Sequence, residues 1–170
     1  AQPAPSVVES PAAAAPAPSA PAPAQLAKPA TISGSQARQV TVSEERAAYQ
    51  KAFDMLKEGR YKMANAEFKG FLERFPQSSY AGNAQYWLGE SNYVSRQFEQ
   101  AVKEFRAVLD NYPASNKVPD AMLKLGYTHY ELRQFDEARS VLTQLRNNHP
   151  NSSAARLAGK RLERMKREGY

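Results

Sequence analysis

Cysteine is absent from this sequence, which excludes disulfides, thiolate metal sites and a thiol nucleophile. Histidine occurs only at His129 and His149, and no Ser/His/Asp or carboxylate cluster recurs around either, so both read as structural. No apolar run approaches the ~18 residues of a membrane span, and no glycine-rich loop of the phosphate-cradling kind is present. Neither an enzyme nor a cofactor or metal site is expected, and no direct membrane insertion. The first 42 residues also lack aromatics and carry only Glu9, Lys28 and Arg38 as charges among Ala, Pro, Ser and Gln. Such a stretch cannot bury enough apolar surface to offset the entropy of ordering it. A disordered Ala/Pro-rich linker is therefore expected over 1–42, and one compact domain over 43–170, which holds every aromatic residue. The chain begins at Ala1 without Met, so we expect a processed or truncated piece with any targeting signal upstream.

The net charge is +6, and most of it is concentrated. Arg156, Lys160, Arg161, Arg164, Lys166 and Arg167 stand against Glu163 and Glu168 near the C-terminus, contributing +4. A basic end of this kind suits nucleic acid, anionic lipid or an acidic partner, and equally a plain solvated helix face.

What the chain does have is a period of 37 residues. That step links Ala64, Ala101 and Ala138; Phe68, Phe105 and Leu142; Phe75, Tyr112 and His149; Pro76, Pro113 and Pro150; and Ser78, Ser115 and Ser152. Within a unit the apolar residues fall at three- and four-residue steps, as in Ala84, Trp87, Leu88 and then Phe98, Ala101, Val102, Phe105. Each unit is thus a helix pair, broken near Gly59, Arg96 or Arg133 and ended by its proline, which lacks an N–H and clashes with a continuing helix. The spacing predicts helices at about 44–58, 61–75, 79–95, 98–111, 117–132, 135–148 and 152–168, with Ser78, Ser115 and Ser152 as candidate N-caps. Asn151-Ser152-Ser153 also meets the N-glycosylation pattern, but is better read as a helix start. The small residues Ala64, Ala101 and Ala138, with Gly89 and Gly126 on the opposing helices, mark close crossings. The large Phe68, Phe105 and Leu142 fill the space between pairs, so no unit buries its own face alone. The expected fold is all-α: a right-handed solenoid of three helix pairs (about 45–81, 82–118 and 119–155) plus a C-terminal capping helix at 152–168.

The Leu-Gly, Ala, Phe and Pro pattern resembles the tetratricopeptide repeat, lengthened from the usual 34 residues. Three strings, FLERFPQSSYAGNAQYWLGE (71–90), SNKVPDAMLKLG (115–126) and SSAARLAGKRL (152–162), are similar to the C-terminal domain of the periplasmic Tol-Pal-associated cell division coordinators, the CpoB/YbgF family. The likeness spans about 44–168. It implies a periplasmic, non-enzymatic scaffold that binds TolA. It further implies a link between the Tol-Pal system and a bifunctional peptidoglycan synthase during outer-membrane constriction at division. It also implies an upstream signal peptide and an upstream coiled coil for self-association, neither of which lies in this chain. A weaker likeness, to the tetratricopeptide lipoprotein of outer-membrane β-barrel assembly, leaves an assembly-factor module or a structural spacer as the alternative.

Set on a tetratricopeptide frame starting at Glu45, Gly82, Pro119 and Arg156, the first helices direct a series of residues to one concave groove. Tyr49, with Arg46, Phe53 and Lys57, comes from the first unit. Asn83, Tyr86, Glu90 and Tyr93 come from the second, and Tyr127 and Tyr130, with Asp120 and Leu123, from the third; Lys160 and Arg164 come from the last helix. Tyrosines suit a protein-binding surface, having large area and few rotors, although the same spacing also serves half-buried packing. In this frame Trp87 and Phe98 face the other way, into the core. Nucleic acid ranks below a protein partner, because Glu90, Asp120 and Glu131 sit among the tyrosines and would repel a phosphate backbone.

Overall fold

A computed structural model describes the backbone of residues 32–170 and the side chains of 41–170; the expected linker lies largely outside the described residues. Among them every regular element is a helix: α1 (Ile32–Lys57), α2 (Tyr61–Arg74), α3 (Ala81–Val94), α4 (Phe98–Asn111), α5 (Val118–Glu131), α6 (Phe135–Asn148) and α7 (Ser153–Glu168). None of the described helices is long and apolar enough to cross a membrane.

The 37-residue period is written into the backbone at both kinds of turn. Between the helices of a pair, Gly59, Arg96 and Arg133 take the left-handed conformation, with φ of 73°, 59° and 60°. There the N–H groups of Arg60, Gln97 and Gln134 reach back to the carbonyls of Met55, Asn92 and His129 at 2.9 Å each. That six-residue closure satisfies carbonyls the helix end leaves open. Between units, Phe75, Tyr112 and His149 adopt φ near −132° and ψ near 52–54°, each donating its N–H to a carbonyl four residues back. The proline that follows each of them disfavours helical backbone at the preceding residue, so the three helices stop at the same step.

Packing crosses the unit boundaries. One cluster joins Tyr49, Ala52 and Phe53 of α1, Phe68 and Phe71 of α2, and Leu88 of α3; the next joins Tyr86 of α3, Phe105 and Val108 of α4, and Leu125 of α5. A third joins Leu123 of α5, Leu142 and Leu145 of α6, and Ala158 and Met165 of α7. Ala64, Ala101 and Ala138 are fully buried at the crossings, as are Phe68, Phe105 and Leu142. A Cβ placed on Gly89 would lie 2.6 Å from the Phe105 ring, and one on Gly126 would lie 2.6 Å from Leu142. Glycine is required there by contact distance, since the backbone φ at neither position is unusual.

Two local expectations are corrected. Ser152 does cap α7, its hydroxyl accepting from Ala155 N at 3.0 Å, but Ser78 and Ser115 cap nothing. Their hydroxyls accept from Tyr80 N and Lys117 N two residues on, inside a turn that delays α3 and α5 until Ala81 and Val118. The first helix also begins at Ile32, not near residue 44. No proline interrupts the chain between Pro29 and Pro76, so a helix seeded by the packed residues of the first pair propagates backward through a stretch with no apolar periodicity.

Candidate functional site

Successive first helices touch directly, α3 with α5 and α5 with α7, in addition to packing on the second helices between them. Together with α1 they form the face that the repeat frame assigns to a partner. Its side chains bridge from unit to unit in a recurring way.

Trp87, Lys124 and Arg161 occupy the same position in successive units, 37 residues apart. Each leans back onto the preceding first helix. The Trp87 indole lies 5.2 Å from the Phe53 ring and donates its Nε1–H to the Tyr49 hydroxyl at 3.1 Å. Lys124 Nζ sits 5.3 Å over the Tyr93 ring and pairs with Glu90 Oε2 at 2.8 Å. The Arg161 guanidinium lies 4.5 Å over Tyr127 and 4.7 Å over Tyr130. A second bridging row is Tyr80, stacked on Tyr49 at 5.1 Å, and Lys117, 5.1 Å over Tyr86. A cation over an aromatic face is held by the ring quadrupole, more strongly where water is partly excluded. These contacts set the tyrosine rings at fixed angles on the surface.

The residues singled out in the sequence are distributed unequally over this face. Tyr93, Tyr127 and Tyr130 are half-buried and gathered around Lys124 and Arg161. Tyr130 donates its hydroxyl to Glu168 Oε2 at 2.6 Å, and Arg164 Nε donates to the other oxygen at 2.7 Å, which brings the exposed Arg164 to the same group. Glu90 is half-buried beside them through Lys124, whereas Asn83 is half-buried in the first turn of α3, away from this group. Tyr49 and Tyr86 retain only 6% of their surface, Tyr86 packing on Phe105 at 5.8 Å. They brace the face from beneath. Lys160 stands apart, lining an open cleft of α6 and α7 with Arg146, Arg156, Glu163 and Arg167. It occupies the step that Tyr86 holds on α3, where α4 packs over it; no described helix follows α7 to do the same.

Trp87 is half-buried against two of the buried clusters, as its assignment to the core expects, and its indole also reaches back to Tyr49 and Phe53 of the preceding first helix. Lys124 and Arg161 were missed altogether, although the 37-residue step from Trp87 was available to find them. Phe98 is half-buried, meeting Tyr93 edge-on at 5.5 Å, and joins none of the three buried clusters.

Electrostatically the face combines its tyrosines with two paired carboxylates, Glu90 on Lys124 and Glu168 on Arg164. Burial pushes the Tyr49 and Tyr93 hydroxyls up to about 12 and the Tyr86 hydroxyl higher still. Burial also raises the Glu90 carboxyl above the ordinary carboxylate range, against the pull of Lys124. His129 is buried in the last turn of α5, Nδ1 meeting Gln134 Oε1 at 2.7 Å, and is placed as a brace for the turn that follows. No group of acids, histidines or cysteines suited to a metal ion occurs among the described residues. The arrangement offers recognition of another chain, through aromatic area with donors and acceptors at its rim.

Comparison with known proteins agrees with this architecture. Two tetratricopeptide-repeat family models match, over residues 49–116 and 120–152. Over 50 residues the chain is 48% identical to the cell division coordinator CpoB of Pseudomonas putida, a match covering 29% of this chain and 19% of that protein. The matched stretch is thus about a fifth of the length of the curated relatives. Among solved structures, the tetratricopeptide domain of Arabidopsis OM64 superposes with a TM-score of 0.61 at 15% identity, over 73% of this chain and 98% of that one. The Yersinia enterocolitica type III secretion chaperone SycD, solved with a peptide of the translocator YopD, superposes with a TM-score of 0.63 at 16% identity, over 74% and 94%. Both likenesses speak to fold alone.

Proposed function

Because this chain is a tetratricopeptide-repeat protein similar over 50 residues to a cell division coordinator, we propose that it works as a periplasmic scaffold holding a segment of TolA against the face of α3, α5 and α7. In this reading the complex ties the Tol-Pal system to a bifunctional peptidoglycan synthase during division. The observation that carries the proposal is the cluster of half-buried Tyr93, Tyr127 and Tyr130 held by Lys124 and Arg161. Rigid aromatic anchors with part of their surface open are what a protein interface uses best.

Calorimetric titration with the purified periplasmic region of TolA tests it. Truncating a central anchor typically costs about 2 kcal/mol or more, roughly thirty-fold in affinity. Tyr93→Ala and Tyr127→Ala should each lower TolA affinity by that factor. Arg164→Glu should weaken binding mainly at low salt, where an exposed charge is least screened. Undiminished affinity in both tyrosine variants would move the site to another face. No binding by the parent chain would favour a spacer role.

A further inference from the structure

The repeat places the same construction twice, once with a third ring stacked on it and once without. In the third unit Tyr130 meets Phe135 edge-on at 5.3 Å and 69°, Arg161 lies over Tyr130, and Glu168 takes its hydroxyl proton in a hydrogen bond. One position 37 residues earlier, Tyr93 meets Phe98 at 5.5 Å and 64°, Lys124 lies over Tyr93, and the charge of Glu131 acts on its hydroxyl. All four pairs, Tyr93 with Tyr130, Phe98 with Phe135, Lys124 with Arg161 and Glu131 with Glu168, are related by the repeat step.

The difference is what lies on the phenylalanine. On Phe135 the Tyr170 ring stacks at 3.7 Å and 14°, with Tyr130 meeting it edge-on at 6.3 Å. Tyr170 arrives there because α7 makes its left-handed turn at Gly169, with φ of 88°. That is one residue earlier than the repeat step dictates. The counterpart of Tyr170 is Arg133, which itself takes the left-handed conformation, and its side chain is exposed. Among the described residues Tyr93 is the one ring on Phe98, and Val94, next to Tyr93 in the chain and four residues before Phe98, is 52% exposed.

We propose that Tyr93, Val94 and Phe98 form a socket for an aromatic side chain of the bound partner, a tyrosine or phenylalanine that stacks on Phe98 as Tyr170 stacks on Phe135. An offset-stacked ring with a second ring at its edge is a favoured aromatic arrangement, and the intramolecular case shows that this scaffold produces it. The proposal rests on the reading that the array holds a protein segment, but its test needs no such segment.

The probe is p-cresol, the tyrosine side chain as a free molecule, titrated into the full chain with methyl and aromatic rings followed by NMR. Its saturated analogue, 4-methylcyclohexanol, serves as the control. The expected result is saturable shifts at the Val94 methyls and the Phe98 ring with p-cresol, with a dissociation constant on the order of 1 mM, and no saturation with the analogue. Phe98→Leu should weaken the response at Val94 at least about tenfold, as should the surface change Val94→Glu read at Phe98. Tyr170→Ala should open a second saturable site at Phe135. The proposal is overturned by shifts at Val94 and Phe98 that stay linear, by an equal response to the saturated analogue, or by the same titration curve at the exposed Leu157 and Met63. Failure of the groove titration and failure of this one are separate results, because no protein partner enters here.

Discussion

Two glycine-to-alanine changes, Gly89→Ala and Gly70→Ala, should move stability in opposite directions although both lie inside helices. Alanine is favoured over glycine in a helix interior by about 0.8–1.0 kcal/mol, and that gain applies to both. At Gly70 nothing lies within 4 Å of the added carbon, so the gain stands alone. At Gly89 the new carbon meets three atoms of the Phe105 ring at 2.6, 2.7 and 3.1 Å. Ordinary contact begins near 3.4 Å, so the ring or the helix must retreat by about 0.8 Å. Phe105 is fully buried and braced by Tyr86, leaving α3 and α4 to separate instead. Overpacking of this kind costs about 1–3 kcal/mol. The lower half of that range applies, because the first unit carries Ala52 at the equivalent step against Phe68, so the pair geometry tolerates a methyl at a slightly wider crossing. After the propensity gain, Gly89→Ala should be destabilising by about 0.5 kcal/mol and Gly70→Ala stabilising by about 0.8–1.0 kcal/mol. Thermal melts by far-UV circular dichroism should show midpoints about 2 °C below the parent for Gly89→Ala and about 4 °C above it for Gly70→Ala. Equal stabilisation in both variants would refute the close crossing of α3 and α4.

Relieving the left-handed backbone at Arg96 and Arg133 should stabilise the array: Arg96→Gly and Arg133→Gly remove a penalty of roughly 1–2 kcal/mol and incur an entropic cost of about 0.5–1 kcal/mol. Each should raise the urea midpoint, the two effects adding, and an unchanged or lowered midpoint in both would contradict the assigned turn geometry. Tyr49 and Tyr93, whose hydroxyls titrate near 12 in the folded protein instead of near 10, contribute stability that is complete below pH 10 and lost as the pH rises toward 12. Spectrophotometric titration should show these tyrosines ionising late and together with loss of helix, while a single tyrosine transition near 10 with helix intact would show the face to be open to water.

Helix existence, the pair boundaries and the small-against-large crossings were legible because each rests on residues close in sequence. Prolines at a regular step stop the second helices, and three- and four-residue apolar spacing marks the buried stripes, so the expected bounds of the helices after the first pair of turns agree with the structure to within two residues, apart from the N-terminus of α1. The caps at Ser78 and Ser115 were not legible, since whether a serine ends a turn or starts a helix depends on the backbone of the two residues that follow. On the candidate face the frame located Tyr93, Tyr127 and Tyr130 together, yet overlooked Lys124 and Arg161 and the reach of Trp87 back to Tyr49.

Those errors share one cause. The amino-acid sequence by itself determined an all-α array, its 37-residue period, its obligatory stacking and its aromatic first helices, because these follow from local spacing and from the impossibility of burying one unit's face alone. Only the tertiary structure decided which side chain at the border between two faces turns toward the next unit. Tyr86 sinks against Phe105 while its neighbour Trp87 reaches back to Tyr49, and Lys124 and Arg161 settle over rings contributed by another helix. A helix of 3.6 residues per turn spreads adjacent positions by about 100°, so the choice between core and face is made by the space a neighbouring helix leaves.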